Sequence, residues 1–328
     1  MLVAFIAVLA ATTFAAGSWY TWATGASGPQ TPVVVVIEPG ATGGEVAALL
    51  KENGVIRSTF AFKLQARFRG FSGGFQAGKY ELTTNMTISA VLTALKAGPF
   101  VESVSATFPE GLTVAEIADS AEEQLGITAA EFVKAATSGD FSLPPYLPKG
   151  KDTVEGFLFP DTYDFLTDAD AAAVINRLLQ QFETVADTLP WDQAKTLGVS
   201  NYEVVIIASM IEEEAKFDED RAKIAAVIYN RLKAGMPLQI DATIEYALGK
   251  HKARLTNKDL DVKSPYNTYL HVGLPPTPIA GPGAASLSAA LNPVKANYLY
   301  YVVCDDEGHH AFTNDYDEFL QLKDQGHC

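Results

Sequence analysis

The sequence predicts an α+β protein with two folded domains behind an apolar N-terminal segment. Its 328 residues are enough for two domains, each with its own hydrophobic core. A content of 48% hydrophobic and 19% charged residues is typical of a folded chain rather than a disordered one. Short β-branched runs occur among helices that carry capping signals, so both element types are expected within each domain.

A β-branched run at residues 33–37 predicts a buried strand, and a helix with a Thr-x-x-Glu capping box follows it. The order Gly-x-Thr-x-x-Glu at residues 40–45 recurs at residues 111–116, so a module of a strand and a capped helix is expected twice. Further elements predicted between the two copies are a helix at residues 58–69, a strand at 77–82 and a helix at 87–97.

Residues 155–165 hold Glu155, Asp161 and Tyr163 among aromatic side chains. A glycine and a proline interrupt the segment, so it is predicted to be a loop held by aromatic packing. The three polar residues are candidates to line a site. A helix is predicted next, at residues 170–189.

Residues 202–232 are predicted to be the central element around which the rest of the chain is arranged. Its first half is a helix that is apolar almost all round, which indicates a position inside a domain. At about 100° per residue, Glu213 points away from the core face while Glu212 and Glu214 lie on its two shoulders. Burial there should raise the pKa of a carboxyl group, as a general acid working near neutral pH requires. A solvated acidic face is the alternative.

A second helix follows after a short turn, with acidic residues at its start and Gly235 at its end. The two helices are therefore predicted to form an αα-hairpin, with Glu212 near the turn.

The N-terminus carries a membrane signal. No charged residue precedes Glu38, and residues 2–16 are almost uninterrupted apolar sequence before Trp19 and Trp22. About 20 apolar residues span a bilayer, and Trp and Tyr favour its interface. We therefore predict a retained single-pass anchor at residues 1–24, with a cleaved signal peptide as the alternative. Both interpretations place the rest of the chain outside the cytoplasm.

The formal net charge of −15 excludes some partners. Nucleic-acid binding is not expected, because neutralising phosphates requires clustered Lys and Arg side chains. The same charge argues against docking of the folded part on anionic lipid. Cys304 and Cys328 lack CxxC spacing, so no zinc site is predicted, and no metal or organic cofactor is indicated. The two cysteines form either one disulfide bridge or two free thiols.

Six blocks carry a family resemblance: ASMIEEE at 208–214, IYNRL at 228–232, MPLQIDAT at 236–243, SPYNTY at 264–269, GLPPTPI at 273–279 and SLSAALNP at 286–293. In this order, and together with the loop at residues 155–163, they resemble the signature blocks of the endolytic murein transglycosylases (the MltG or YceG-like family). The resemblance covers nearly the whole chain. It departs at Ala242, where the family usually has proline, and at Phe319, where it has histidine.

The resemblance implies a single-pass inner-membrane protein with a LysM-like subdomain at residues 25–104 and a catalytic domain at residues 105–328 outside the cytoplasm. It implies an enzyme that cuts the MurNAc-β-1,4-GlcNAc bond inside nascent peptidoglycan glycan strands, leaves a 1,6-anhydroMurNAc end and so limits strand length. Peptidoglycan synthases are the implied protein partners. The catalytic glutamate of the family falls on Glu212.

A lytic transglycosylase needs only one acid–base carboxyl group, because the C6 hydroxyl of the sugar is the nucleophile. Glu214 is expected to support Glu212. Other side chains expected to bind the sugar chain, besides Glu155, Asp161 and Tyr163, are Asn230, Gln239, Asp241, Tyr266, Asn267 and Thr268. One alternative is a peptidoglycan hydrolase with Asp241 as second carboxylate, which would leave a reducing end. The other is a non-catalytic peptidoglycan-binding scaffold.

Overall fold

The computed structural model describes residues 15, 17–26, 28–71, 74–100, 102–137, 141, 153–252, 254–305 and 307–325. The chain divides into two compact units, residues 1–102 and 103–328. Each unit has its own hydrophobic core. Both combine helices with strands, which confirms the predicted α+β class.

The described part of the first unit contains, after the helical residues 17–24, the elements β1 (Pro32–Ile37), α1 (Gly43–Glu52), α2 (Thr59–Phe68), β2 (Gly78–Thr83) and α3 (Ile88–Ala97). The strands pair in antiparallel register from Pro32 opposite Thr83 to Ile37 opposite Gly78. Alternate side chains of β1 point outward, and Val34 is 55% exposed. The prediction of a fully buried strand is therefore wrong, because only one face of this two-stranded sheet is covered.

The predicted anchor falls mostly on residues 1–14 and 16, which lie outside the described residues. Residues 17–24 are helical. Among the described residues, none of the helices combines the length and the apolar character that crossing a membrane requires.

The second unit begins with β3 (Ser103–Phe108), α4 (Val114–Leu125), α5 (Ala129–Ala136), β4 (Asp161–Leu166), α6 (Ala171–Ala186), α7 (Asp192–Leu197) and α8 (Asn201–Glu214). It continues with α9 (Asp218–Ala234), α10 (Asp241–Leu248), α11 (Asn257–Leu260), α12 (Ala284–Leu291), β5 (Tyr300–Val303), β6 (His310–Thr313) and α13 (Tyr316–Gln325). The strands form two antiparallel pairs, β3 with β4 and β5 with β6.

The predicted repeat of a strand and a capped helix is confirmed. Thr42 and Glu45 form a complete capping box at the start of α1, and Thr113 and Glu116 form the same box at the start of α4. In each box the hydroxyl accepts from a backbone N–H while the glutamate accepts from the N-cap N–H. These four side chains stabilise helix starts.

The segment predicted as a loop at residues 155–165 is only half a loop. Its second half is β4, which pairs with β3 from Asp161 opposite Phe108 to Leu166 opposite Ser103. Pro160 precedes the strand and so removes no hydrogen bond from it. Tyr163 and Phe165 point inward, and their neighbours in the strand point outward, which is the period of two that is typical of a strand. The prediction of a loop rested on the glycine and the proline and did not use this period.

Helix α8 lies at the centre of the second unit. Its residues from Val204 to Ile211 are all buried, and it packs against α9 and α12. The turn between α8 and α9 is three residues long, which confirms the predicted αα-hairpin. Gly235 ends α9 in the left-handed conformation, with φ of 64°.

Cys304 is buried and disulfide-bonded, which excludes a free thiol at that position. Cys328 lies outside the described residues.

Candidate active site

Three glutamates form the last turn of α8, a turn that holds no basic residue. The C-terminal end of a helix carries partial negative charge, so ionised side chains there are destabilised. Polar partners around each carboxylate must offset this cost. The partners differ for Glu212, Glu213 and Glu214, and so the three side chains have different chemistry.

Glu212 is enclosed, with 6% of its side chain exposed. Its Oε1 accepts from Nη1 of Arg221 at 2.9 Å, and its Oε2 accepts from the backbone N–H of Gly283 at 2.8 Å. Arg221 lies in the first turn of α9 and is also held by Asp218 and Ser286. Gly283 is the N-cap of α12, where the helix dipole favours negative charge. Glu212 is therefore fixed in place by groups that bind a carboxylate.

Glu110 brings a second carboxyl group to the same place. A Cβ on Gly283 would stand 1.8 Å from Glu110 Oε1, so this glycine has to lack a side chain for the carboxylate to approach. The pKa of Glu110 is raised, first by burial and then by the charge of Glu212. Two carboxyl groups thus flank Gly283. Glu212 accepts a hydrogen bond from its N–H, and Glu110 lies where a side chain on its Cα would be.

Sequence reasoning missed this pair. Neither Glu110 nor Arg221 is among the residues that the sequence predicts to line a site. One signal was available, because Arg221 has the spacing of the buried residues Ile224 and Ile228. A buried arginine needs an acidic partner, so that pattern indicates a nearby carboxylate.

Glu213 faces a cavity of about 560 Å³. The cavity is lined by Gly111, Thr113, Ala115, Glu116, Asp119, Glu155, Glu213, Ala242, Glu245, Tyr246, Gly249, Lys250, His251 and Ile279. Glu155 is buried in its wall, accepting from the N–H of Val114 at 3.0 Å and from the hydroxyl of Tyr246 at 3.1 Å. Burial raises the pKa of Glu213 and that of Glu155 to about 7. Glu155 therefore lines this cavity, and its role in binding a ligand stays a prediction.

Gly111 lies between this cavity and Glu110, the second carboxyl group at Gly283. It lines the cavity, and it directly follows Glu110 in the chain. Its φ of 83° is left-handed, and a Cβ there would lie 2.8 Å from Glu213 Oε1. The N–H of Gly111 donates to the carbonyl of Gly281 at 2.9 Å, which ties the Glu110 loop to the segment before α12.

Glu214 belongs to a third environment. It accepts from the hydroxyl of Tyr301 at 3.0 Å and from the N–H of Ala242. Burial raises the pKa of Glu214 to about 7, and the nearby charge of Asp241 adds to the effect. Asp241 itself accepts from the hydroxyl of Tyr269. The structure thus places Asp241 beside Glu214, whereas the second carboxyl group beside Glu212 is Glu110.

Two predicted sugar-binding residues instead hold the backbone together. Asn267 is fully buried, and its amide donates to the carbonyls of Leu260 and Val262. Thr268 is also buried and accepts from the N–H of Ile240 at 3.0 Å. Their polar groups therefore fix the loop at residues 264–270 rather than face a cleft.

Three further side chains predicted to bind the sugar chain, Asn230, Gln239 and Tyr266, lie in different surroundings. Asn230 donates to two backbone carbonyls beyond α12, and Gln239 is exposed in a left-handed conformation, with φ of 54°. Tyr266 shares a hydrogen bond of 2.8 Å with Thr277, and its ring centroid lies 4.8 Å from that of Tyr246 in the cavity wall. Of these three side chains, only Tyr266 has a ring contact with a residue of the cavity wall, Tyr246.

Asp161 and Tyr163 do not line the cavity. Tyr163 is 2% exposed, and its hydroxyl donates to the carbonyl of Phe159 at 2.6 Å, so it belongs to the core. Asp161 is exposed at the start of β4 and accepts from the amide of Gln181 at 2.9 Å. The alternation of the strand directs Tyr163 inward and Asp161 to solvent.

Comparisons with known proteins match the chain to a family. Residues 35–325 match the model of the YceG-like family. The chain is 36% identical over 310 residues to a Bacillus subtilis (strain 168) protein named endolytic murein transglycosylase, covering 90% of this chain and 85% of the relative. A Streptococcus pneumoniae (strain R6) protein of the same name is 28% identical over 87% of this chain, which spans 57% of that longer protein.

The fold also matches a solved structure. A YceG-like protein from Listeria monocytogenes superposes with a TM-score of 0.61 and 31% sequence identity. The match covers 90% of this chain and 100% of that one.

Proposed function

Because the chain belongs to the YceG-like family, we propose that it is a lytic transglycosylase that acts inside the glycan strands of peptidoglycan. The enzyme cleaves the MurNAc-β-1,4-GlcNAc bond and leaves a 1,6-anhydroMurNAc end, which limits strand length. The observation that carries the assignment of the catalytic residue is the setting of Glu212, between Arg221, the Gly283 N–H and Glu110. Only one carboxyl group has to exchange protons in this reaction.

The reaction proceeds in two proton transfers at Glu212. In the first, the carboxylic acid protonates the bridging O4, and the bond from C1 of MurNAc to O4 breaks. In the second, the resulting carboxylate takes the proton from O6 of the same MurNAc, and O6 bonds to C1. No water is consumed, and the glutamate returns to its acid form.

Neighbouring groups support the charged states of this cycle. Arg221 and the Gly283 N–H stabilise the carboxylate that the first transfer produces. Glu110 lies on the other side of Gly283, where a negative charge stabilises a positively charged sugar intermediate. The hydroxyl of Tyr301 and the N–H of Ala242 hold Glu214 and so fix the last turn of α8, which also carries Glu212.

The surroundings of the enzyme follow from the same assignment. Residues 1–24 form a single-pass anchor in the cytoplasmic membrane, and the catalytic unit lies outside the cytoplasm. Residues 25–104 form a LysM-like subdomain, and peptidoglycan synthases are the protein partners. The 560 Å³ cavity beside Glu213, with Tyr246 and Tyr266 in and against its wall, is the place for part of the glycan strand.

The pair of carboxyl groups at Gly283 favours one second candidate, a hydrolase. Glu110, rather than Asp241, would then activate a water while Glu212 acts as the acid. The product would carry a reducing end instead of an anhydro end.

Mass spectrometry of the products separates these functions. The full-length protein in detergent is incubated with uncrosslinked glycan strands, alongside its Glu212→Gln and Glu110→Gln variants. We expect anhydro ends from the unmodified protein and none above background from Glu212→Gln. Reducing ends that disappear in both variants would identify the hydrolase, and intact strands bound by every variant would identify a scaffold.

A further inference from the structure

Helix α2 of the first unit carries an exposed apolar stripe. Phe60, Leu64 and Phe68 are spaced four residues apart, so they share one face of the helix. Their exposed fractions are 61%, 39% and 82%. The opposite face, with Ala61, Phe62 and Ala66, packs into the core of the unit. We name the three exposed residues the α2 stripe.

The charged residues of α2 are all basic. Lys63 and Arg67 precede Leu64 and Phe68 by one residue each, so both are at the edge of the stripe on the helical wheel, and both are exposed. Residues 53–80 contain five Lys and Arg and no Asp or Glu. The first unit holds seven basic and five acidic residues in a chain whose net charge is −15. The acidic balance therefore belongs to the second unit, and the expectation of no lipid docking does not apply to α2.

The stripe is continuous with the aromatic end of the N-terminal segment. The ring centroids of Trp19 and Phe60 are 6.1 Å apart, and Gln65 donates to the hydroxyl of Tyr20 at 3.0 Å. The guanidinium of Arg57 lies over the ring of Trp22 at 5.6 Å. Trp and Tyr at such a position mark the level of a membrane interface. Helix α2 is thus held beside the residues expected at the bilayer surface.

We propose that the α2 stripe docks on the surface of an anionic lipid bilayer, with Phe60, Leu64 and Phe68 among the headgroups and Lys63 and Arg67 on the lipid phosphates. A helix with an aromatic face flanked by Lys and Arg has the composition of an interfacial membrane helix. Basic side chains near an anionic surface add attraction that falls with ionic strength. The proposal rests on the proposed membrane attachment only in that the anchor keeps α2 close to lipid.

Fluorescence quenching by lipid tests the docking. The full-length chain is reconstituted into vesicles of equal parts phosphatidylglycerol and phosphatidylcholine that contain a nitroxide-labelled lipid. A fluorescent thiol label is attached at Phe68→Cys or, as the matched control, at Glu52→Cys on the exposed end of α1. Protein without an added cysteine gives the background. We expect quenching at position 68 about twofold or more above that at position 52, and loss of the difference at high salt.

The double variant Lys63→Glu and Arg67→Glu, made in the Phe68→Cys protein, should reduce quenching to the level of the control without changing the melting temperature. Equal quenching at both positions in protein that floats with vesicles would overturn the docking and leave the anchor intact. Flotation with anionic vesicles alone would contradict the anchor and support the stripe, and no flotation at all would contradict both. Disulfide-linked dimers through the cysteine at position 68, without lipid quenching, would assign the stripe to a second copy of the chain.

Discussion

Glu212, Glu213 and Glu214 have the same side chain and adjacent positions, yet each carboxylate contacts a different part of the second unit. Glu212 meets α9 and the start of α12, Glu213 faces the cavity, and Glu214 meets Tyr301. The 100° rotation per residue of a helix sends three neighbouring side chains in three directions. Catalysis by one of them is therefore separable from the others by single substitutions.

Gly283→Ala tests the close approach of Glu110. The new Cβ would overlap the Glu110 carboxylate, so we expect a loss of stability and a fall in activity of tenfold or more. Thermal unfolding of Gly283→Ala, Glu110→Ala and the double variant forms a mutant cycle. The glycine substitution should cost about 1–3 kcal/mol in the parent and less in the Glu110→Ala background. Equal costs in both backgrounds would show that the two residues do not touch.

Glu155 predicts a pH dependence of stability. Burial raises the pKa of Glu155 to about 7 from 4.5. The folded state therefore binds the proton of Glu155 more tightly than the unfolded state does. The contribution of the protonated Glu155 to the free energy of unfolding is complete below pH 4.5 and is lost as the pH rises through about 7. Between about pH 5 and 8, the free energy of unfolding should fall by roughly 2–3 kcal/mol more in the parent than in Glu155→Gln. Urea denaturation measures it, and parallel pH profiles would contradict the assignment.

At this scale the sequence predicted the position of Glu212 and its neighbours on the helix but not their partners. Glu110 and Gly283 are far from Glu212 in the chain, and nothing in local periodicity indicates which loops meet. Asn267 and Thr268 show the opposite error. Their residue types suit sugar binding, but buried backbone groups need hydrogen-bond partners and these side chains supply them.

At the scale of elements, α8 holds the site because it is fixed at both ends. Ser200 and Glu203 form its capping box, and near its other end the hydroxyl of Ser209 accepts from the N–H of Ile279 at 3.0 Å. The segment from Ile279 leads to Gly283 at the start of α12. Ser209 therefore ties the segment that leads to Gly283 to the helix that carries Glu212.

Ser209→Ala and Ser200→Ala are matched changes on one helix. Ser209→Ala leaves the buried N–H of Ile279 unpaired, which should cost about 1–3 kcal/mol of stability and also lower kcat. Ser200→Ala removes an N-cap, which should cost about 1 kcal/mol and leave kcat within a factor of two or so. Chemical denaturation and initial rates measure both effects. Equal effects on kcat would show that Ser209 has no role in placing the site.

Elements with explicit end signals were predicted well from the sequence. The capping boxes of α1 and α4 and the terminal Gly235 of α9 are local patterns, and the structure confirms each of them. Strand β4 was missed because its existence depends on β3, more than fifty residues earlier in the chain. The burial of β1 was overestimated for a related reason. Whether both faces of a strand are buried depends on what covers the sheet and not on the residues of the strand alone.

At the scale of the molecule, the two units have separate cores and opposite charge balance. The first unit is mildly basic, and the second carries the excess of Asp and Glu. The net charge of the whole chain therefore describes the second unit but not the first. Two cores also predict two thermal transitions.

Phe62→Ala tests the independence of the units. Phe62 is fully buried in the first core, so its truncation should destabilise that unit by about 3–5 kcal/mol. Calorimetry should show one transition lowered and the other unchanged, while the rate on uncrosslinked strands stays within a few-fold of the parent. A single transition that shifts as a whole, or a lost activity, would contradict the independence.

The most direct test of the account compares three single substitutions in α8. Initial rates of anhydro-end formation are measured for Glu212→Gln, Glu213→Gln and Glu214→Gln, with thermal unfolding as the check on folding. Removal of the acid–base group should lower the rate roughly 10²- to 10⁴-fold for Glu212→Gln, while Glu213→Gln stays within about tenfold of the parent. A folded Glu212→Gln protein with near-parent rate, beside an inactive Glu213→Gln, would move the chemistry to the cavity carboxylate and contradict the account.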